Sequence, residues 1–151
     1  MKRWGTRLHA AIYRSTGGRL FGRVGGQPVL LLETVGRRTG RRRTTPVQYL
    51  VDDDMFVVVA SNAGAARPPA WYLNLRANPH ARIRVGARSV DVRAQEPAGQ
   101  ERAKLWRRLT AANRYLERAA RKAGRDLPLV ALVPTTPPPR SQPPTVHDDD
   151  G

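Results

Sequence analysis

Two apolar runs joined by an acidic turn constrain the fold of this chain more than any other feature. Residues 44–51 (TTPVQYLV) alternate between apolar and polar side chains, whereas residues 55–61 (MFVVVAS) form an almost continuous apolar run. Alternation is typical of a strand with one buried face, and a short continuous run is typical of a strand buried on both faces. Because Asp52–Asp54 make a turn between them, we predict an antiparallel hairpin whose return strand is covered on each side.

Three further segments predict additional strands. Residues 27–36 (QPVLLLETVG) form a short apolar run that ends at Gly36, and residues 127–134 (LPLVALVP) form a similar run near the end of the chain. Residues 81–94 alternate on both sides of Gly86, which is typical of a second hairpin.

Two helices are predicted between these strands. Pro68 and Pro69 suit the first turn of a helix over residues 70–77. Leucines at three-to-four spacing predict one longer helix over residues 98–123 that ends at Gly124. Antiparallel strands with tight turns, covered by helices, predict a mainly β, α+β fold: a small closed or partly closed barrel.

The two ends of the chain differ from this central part. Residues 1–22 predict a short amphipathic helix with apolar residues on one face and arginines beside them; it either lies on an anionic membrane surface or packs on the domain. Residues 135–151 are rich in proline and poor in apolar side chains, which predicts disorder. We therefore predict an N-terminal helix (1–22), a barrel domain (23–134) and a disordered tail (135–151).

Composition narrows the classes of function. The chain has no cysteine, and its three histidines are scattered, which argues against disulfide scaffolds, thiolate zinc sites and cysteine nucleophiles. A net charge of +15 predicts an anionic partner: nucleic acid, an acidic membrane surface, or a phosphorylated or polycarboxylate small molecule. Because no apolar run reaches the length of a membrane span and no secretion signal is evident, we expect a cytoplasmic location.

The loop after the first strand concentrates this charge, with five arginines within residues 37–43. Guanidinium groups match phosphate and carboxylate oxygens two at a time, and Gly36 and Gly40 allow positive-φ turns that bring backbone N–H groups near an anion. The loop is therefore an anion site, a nucleic-acid contact or a solvated turn. Phe and Tyr residues do not interleave with its arginines, which argues against nucleic acid.

A second candidate segment follows the most apolar strand. Residues 60–63 (ASNA) are small and precede a helix start, where unpaired N–H donors suit a ligand. No serine–histidine–aspartate set and no Walker or dinucleotide fingerprint occurs. If the chain is an enzyme, a cofactor carries the chemistry and the protein supplies binding and orientation.

The strings GGQPVLLLETVGRRTGRRRTTPVQYL, VVVASNAGAARPPAWYLNLRANP and LPLVALVP resemble the deazaflavin-dependent nitroreductase and quinone reductase family of actinobacteria. The resemblance implies a split β-barrel related to flavin-binding proteins and a domain over residues 23–134 that binds coenzyme F420, a deazaflavin with a phosphate and an oligoglutamate tail. It implies hydride transfer from reduced F420 to a quinone-like or nitroaromatic acceptor. Some members associate with the membrane, where menaquinone is a proposed substrate, so a peripheral contact with the inner face of the plasma membrane is a further expectation.

The resemblance also implies three groups of cofactor-binding residues. The group that holds the phosphate and glutamate tail is Arg37, Arg38, Thr39 and Arg43. The group that lines the cofactor from the strand is Thr44, Thr45, Pro46 and Gln48. The group that surrounds the deazaflavin ring is Ala60, Ser61, Asn62, Ala70, Trp71 and Tyr72.

Two residues are implied to face the acceptor. Ser61 is expected to orient it or donate a hydrogen bond, and Tyr115 is expected in the substrate pocket. The chain departs from the characterised nitroreductase at Asn62, which replaces a lysine, and in having Tyr115 where that enzyme has a cluster of tyrosines. Three alternatives remain open: a carrier that binds F420 without catalysis, a nucleic-acid-binding module, and a flavin- or haem-binding relative on the same barrel.

Overall fold

The structure is a computed structural model that describes residues 23–24 and 27–135; the predicted N-terminal helix and all of the predicted tail except Thr135 lie outside them. The strands of the described part are β1 (Arg23–Val24), β2 (Gln27–Val35), β3 (Arg42–Asp52), β4 (Met55–Val59), β5 (His80–Val85), β6 (Arg88–Gln95) and β7 (Leu129–Pro134). Its helices are α1 (Ala70–Ala77), α2 (Gly99–Ala112) and α3 (Tyr115–Ala123), with a 3₁₀ turn at Asn62–Gly64. Within these ranges, no helix is long and apolar enough to cross a bilayer.

All strand pairs are antiparallel, and their order is β1-β2-β3-β4-β7-β6-β5. A further pairing of β2 with β5, from Leu31 opposite Arg84 to Glu33 opposite Arg82, closes β2 to β7 into a six-stranded barrel. Closure gives partners to the backbone N–H and C=O groups that the edge strands of an open sheet would leave unpaired. The predicted barrel class is confirmed.

The return strand β4 is buried on both faces, as predicted. Phe56 and Val58 point into the barrel, where they join a core that includes Leu30, Leu32 and Ile83. Val57 points outward and packs in a second core under the helices, with Leu105, Leu109, Leu116 and Leu129. Each fully buried aliphatic side chain contributes on the order of 1.5–3 kcal/mol, so the helices are held to the sheet mainly by this second core.

The prediction of one long helix up to Gly124 is wrong, because the helix is interrupted at Asn113. Its backbone leaves the helical region (φ −142°, ψ 96°), and α3 begins at Tyr115. The Asn113 Oδ1 atom accepts a hydrogen bond from the Tyr115 N–H at 3.1 Å, and its Nδ2 donates to Gln48 Oε1 at 3.1 Å. An asparagine side chain that bonds to nearby backbone in this way competes with the helix. The interruption brings the α2–α3 junction over β3.

Candidate functional site

A cavity of about 300 Å³ opens where β3 parts from β4. Strand β3 pairs with β2 from Arg42 to Gln48, but with β4 only from Tyr49 to Asp52. The wall opposite β3 comes from the loop after β4, the start of α1 and the α2–α3 junction. The lining residues are Thr45, Pro46, Val47, Gln48, Tyr49, Leu50, Val59, Ser61, Asn62, Ala63, Pro69, Trp71, Leu109, Ala112, Asn113 and Leu116.

The lining combines an apolar wall with a few polar groups, which is the usual make-up of a small-molecule site. Trp71, with only 7% of its surface exposed, faces the cavity from the first turn of α1. Leu109 and Leu116 belong to the core beneath the helices and also reach the cavity. The Asn113–Gln48 hydrogen bond joins the helix junction to β3 at this site. The cavity can hold a flat, largely apolar group.

The arginine loop connects β2 to β3 at one end of this site. It is a tight turn, in which the Gly36 N–H donates to the Arg41 carbonyl at 2.7 Å and the Gly40 N–H donates to the Gly36 carbonyl at 2.8 Å. Gly40 has φ +70°, which confirms the positive-φ prediction for that residue. The same prediction for Gly36 is wrong: it is needed for space, since a β-carbon there would lie 2.9 Å from Thr39 Oγ1.

One buried asparagine anchors this loop to α1. The Asn74 Oδ1 atom accepts hydrogen bonds from the backbone N–H and the Nη1 atom of Arg37, each at 3.2 Å. Its Nδ2 donates to Thr34 Oγ1 at 3.2 Å, and only 4% of Asn74 is exposed. Because buried polar groups are costly unless they are paired, this network fixes the loop relative to the helix that carries Trp71.

The arginines of the loop do not share one environment. Arg43 lies opposite Thr34 in the β2–β3 ladder, on the same face of β3 as Thr45. It is therefore about 7 Å along the strand from the cavity wall. Arg42 is on the other face and forms an ion pair with Glu33 at 3.3 Å. Arg37, Arg38, Thr39, Arg43 and Thr44 are exposed, so their polar atoms can meet an anion outside the cavity.

The loop after β4 supplies the small-residue side of the cavity. Ser61, Asn62 and Ala63 line it, and the φ values of Asn62, Ala63 and Gly64 are all positive (46°, 54° and 78°). Ala60 is fully buried instead and donates its N–H to the Pro128 carbonyl at 2.9 Å. Non-glycine residues in this region of φ and ψ are strained, so the surrounding structure must hold them there.

The structure thus places some of the predicted cofactor-binding residues around one cavity. The predicted residues that line the cavity are Thr45, Pro46, Gln48, Ser61, Asn62 and Trp71. Ala70 is exposed at the start of α1, and Tyr115 is 48% exposed beside the α2–α3 junction without lining the cavity.

Tyr72 lines a different cavity, of about 220 Å³, together with Arg76 and Glu96. Its hydroxyl donates a hydrogen bond to Glu96 Oε1, and the Arg76 guanidinium carbon lies 5.9 Å from the centre of its ring. Burial, reinforced by the Glu96 carboxylate, raises the pKa of Tyr72. This side chain is therefore engaged away from the candidate site.

Sequence reasoning missed Asn74 as a site residue and the cavity-facing role of Leu109. Asn74 had a usable signal, because an asparagine among the apolar residues of a buried helix needs a partner. Leu109 had none, since a leucine at helical spacing reads as core whether or not it also borders a cavity.

Comparison with known proteins relates this site to a family. A model of the F420H(2)-dependent quinone reductase family matches residues 4–134. An F420H(2)-dependent quinone reductase of Mycobacterium tuberculosis (strain H37Rv) is 43% identical over 132 residues, covering 84% of this chain and 88% of that protein.

Solved structures agree with the sequence relatives. An F420-H2 dependent reductase aligns with a TM-score of 0.64 and 28% identity, covering 70% of this chain and 93% of its own. A FAD-binding protein of Mesorhizobium loti aligns with a TM-score of 0.50 and 18% identity, covering 72% and 79%, which indicates a shared fold alone. The family match, the curated relative and the barrel agree with the resemblance read from the sequence, and this chain belongs to the F420H(2)-dependent quinone reductase family.

Proposed function

We propose that this protein is an oxidoreductase that passes a hydride from reduced coenzyme F420 to a quinone. The observation that carries the proposal is the arrangement along β3, where Arg43, an exposed residue of the arginine loop, lies about 7 Å along the strand from Thr45 in the wall of the largely apolar cavity. This combination matches a ligand with a flat ring at one end and negative charges at the other. Membership of the family supports F420 as that ligand.

The residues present fit such a cofactor. The cavity, at about 300 Å³, is at the lower end of the usual range for small-molecule sites, so it holds a ring system and leaves a long tail outside. Arg37, Arg38 and Arg43 would hold the phosphate and carboxylates there, because guanidinium groups bind such oxygens bidentately. Pro46 and Trp71 would contact the ring system.

The bound cofactor supplies the hydride, and the protein supplies the geometry. Reaction between two bound molecules is accelerated mainly by holding them close and aligned. The apolar side chains of Trp71, Leu109 and Leu116 would shield a bound ring from water on the side that they cover. The Ser61 hydroxyl would orient the acceptor or donate a hydrogen bond to it, and the proton that completes the reduction comes from solvent or through Ser61.

We further propose that quinones are better acceptors than bulky nitroaromatic compounds. Asn113 and Leu116 border the cavity at the side proposed for the acceptor, whereas Tyr115 is exposed and does not line it. A nitroaromatic acceptor would therefore lack the aromatic contacts that the characterised nitroreductase offers. Nitro compounds no larger than a quinone are still expected to be reduced.

Contact with a membrane surface is a separate proposal and depends on the amphipathic pattern of residues 1–22. Removing residues 1–16 should release the protein from anionic vesicles and leave F420 binding unchanged. Vesicle binding that persists in the truncated protein would contradict it.

The test of the main proposal is to mix the protein with reduced F420 and menadione and to follow the return of the oxidised cofactor's absorbance. We expect enzyme-dependent turnover that exceeds the rate with a bulky nitroaromatic acceptor. A protein that binds F420 tightly but turns over no quinone or nitro compound would be a carrier, and the reductase proposal would be wrong. Binding that needs no deazaflavin and weakens steeply with salt would indicate a nucleic-acid module.

A further inference from the structure

The small-residue side of the cavity is held in place by a basic side chain from a distant part of the chain. Gly124 ends α3 with φ +64°, and the chain then turns so that Arg125 faces the loop after β4. The Arg125 Nε donates to the Ala66 carbonyl at 3.0 Å, and its Nη2 donates to the Ala65 and Arg67 carbonyls at 3.1 Å and 3.3 Å. One guanidinium group therefore binds three successive backbone carbonyls.

Other contacts strengthen the same attachment. The Lys122 Nζ donates to the Ala63 carbonyl at 3.4 Å, and the Asn62 Nδ2 donates to the Arg67 carbonyl at 2.9 Å. Helix α3 also packs directly on Gly64, where a β-carbon would lie 3.2 Å from the Ala119 carbonyl oxygen. The loop is thus closed on itself and fixed against α3.

This attachment matters because the loop is strained where it borders the cavity. Asn62 and Ala63 hold positive φ values although neither is a glycine, and such residues persist only when their surroundings impose the conformation. Ser61, Asn62 and Ala63 are also the residues of this loop that line the cavity. The carbonyls that Arg125 binds begin at Ala65, separated from this segment only by Gly64, so they fix the chain immediately after it.

We propose that Arg125 is a positioning residue, which holds the Ser61–Ala63 wall of the cavity in its ligand-binding shape through the carbonyls of residues 65–67. The effect on turnover rests on the proposed function, whereas the effect on the loop does not. Arginine suits this task because its planar fork presents several N–H groups in fixed directions, which a lysine ammonium cannot reproduce.

The first experiment measures amide hydrogen exchange of the protein without cofactor. In Arg125→Met, we expect exchange in residues 61–67 to rise about tenfold or more, while β2 to β5 keep their protection, because a local opening becomes cheaper without the clamp. The matched control is Arg121→Met, which removes a charge from an exposed position on α3, the helix that precedes Arg125. Arg125→Lys should resemble the Met variant. Unchanged loop exchange in Arg125→Met, or a Lys variant equal to wild type, would overturn the proposal.

The second experiment separates positioning from general stability by chemical rescue. In Arg125→Ala, we expect kcat with menadione to fall about tenfold, because misplacement of a binding wall reduces productive alignment. The Kd of F420 should change less than about threefold, since its charged tail still meets the arginine loop. Added ethylguanidinium should restore both slow loop exchange and kcat.

If hydrogen exchange rises throughout the barrel and ethylguanidinium does not restore it, Arg125 is a merely structural residue and the proposal is overturned. If the wild-type protein reduces no acceptor, the proposed function fails, and loop exchange with rescue still decides the role of Arg125.

Discussion

The two loops that flank the cavity are fixed in opposite ways. In the arginine loop, a neutral buried side chain, Asn74, anchors the backbone, and the guanidinium groups of Arg38 and Arg43 remain exposed. In the loop after β4, the anchor is itself a cation, Arg125, whose guanidinium is occupied by backbone carbonyls. The protein's positive charge therefore serves two purposes: Arg38 and Arg43 present exposed guanidinium groups to an anionic ligand, whereas Arg125 is engaged in holding backbone.

The strongest test of this difference between the two loops is to replace Arg43 and, in a separate variant, its neighbour Arg42. A charge-assisted hydrogen bond contributes about 1.5–3 kcal/mol, so Arg43→Ala should weaken F420 binding about 10- to 100-fold. Arg42→Ala removes the same charge from the opposite face, where the arginine pairs with Glu33, and should change the Kd less than about twofold. Titration by F420 fluorescence measures both, and equal losses would mean that only overall charge matters.

The next largest effect concerns the anchor of the arginine loop. Asn74→Ala leaves the Thr34 hydroxyl and the Arg37 N–H without their buried partner, which should lower the free energy of unfolding by about 1–3 kcal/mol. Arg37→Ala removes only the Nη1 hydrogen bond and should cost less. Urea unfolding of both variants and of the double variant gives the coupling energy between them. Additive losses would contradict a shared network.

The glycines of the arginine loop make a subtler contrast. Gly36→Ala brings a β-carbon to 2.9 Å from Thr39 Oγ1 and 3.0 Å from the Arg41 carbonyl, which the turn cannot avoid without moving. Gly40→Ala meets nothing within 4 Å but must hold φ +70°, a conformation that costs roughly 1–2 kcal/mol for an L-residue. We expect Gly40→Ala to lower only stability, and Gly36→Ala also to weaken F420 binding. Thermal unfolding and fluorescence titration together separate the two outcomes.

Periodicity and turn residues predicted the barrel, because an antiparallel sheet is encoded locally in alternation and short turns. The interruption at Asn113 has a local component, the hydrogen bond from the Tyr115 N–H to its side chain, but its second partner, Gln48, is distant in sequence and adjacent only after folding. For Asn74 the sequence indicates that a partner is needed but not which one, and for Arg125 it indicates neither, because the partners of both lie on other elements. The resemblance places Tyr72 at the cofactor ring, but its side chain lines the second cavity, where its hydroxyl donates a hydrogen bond to Glu96, a partner that becomes a neighbour only on folding.

The smallest expected effect lies in the second cavity, away from both loops. Burial and the Glu96 carboxylate raise the pKa of Tyr72, so the folded state favours the neutral phenol. A group whose pKa is higher in the folded state stabilises the protein below its unfolded pKa, about 10 for tyrosine, and loses that contribution as pH rises through the folded pKa. Tyr72→Phe should therefore cost about 1 kcal/mol at pH 7, from the lost hydrogen bond to Glu96, and should reduce the fall in stability above about pH 10.

Urea unfolding of wild type and Tyr72→Phe at neutral and alkaline pH measures this difference, with Tyr115→Phe as the matched control because Tyr115 is exposed. An alkaline fall of equal size in wild type and Tyr72→Phe would mean that the phenol of Tyr72 is not held neutral by its surroundings. The comparison also distinguishes the regions: the arginine loop responds in ligand affinity, whereas the Tyr72–Glu96 pair responds only in stability, because its polar atoms bind each other.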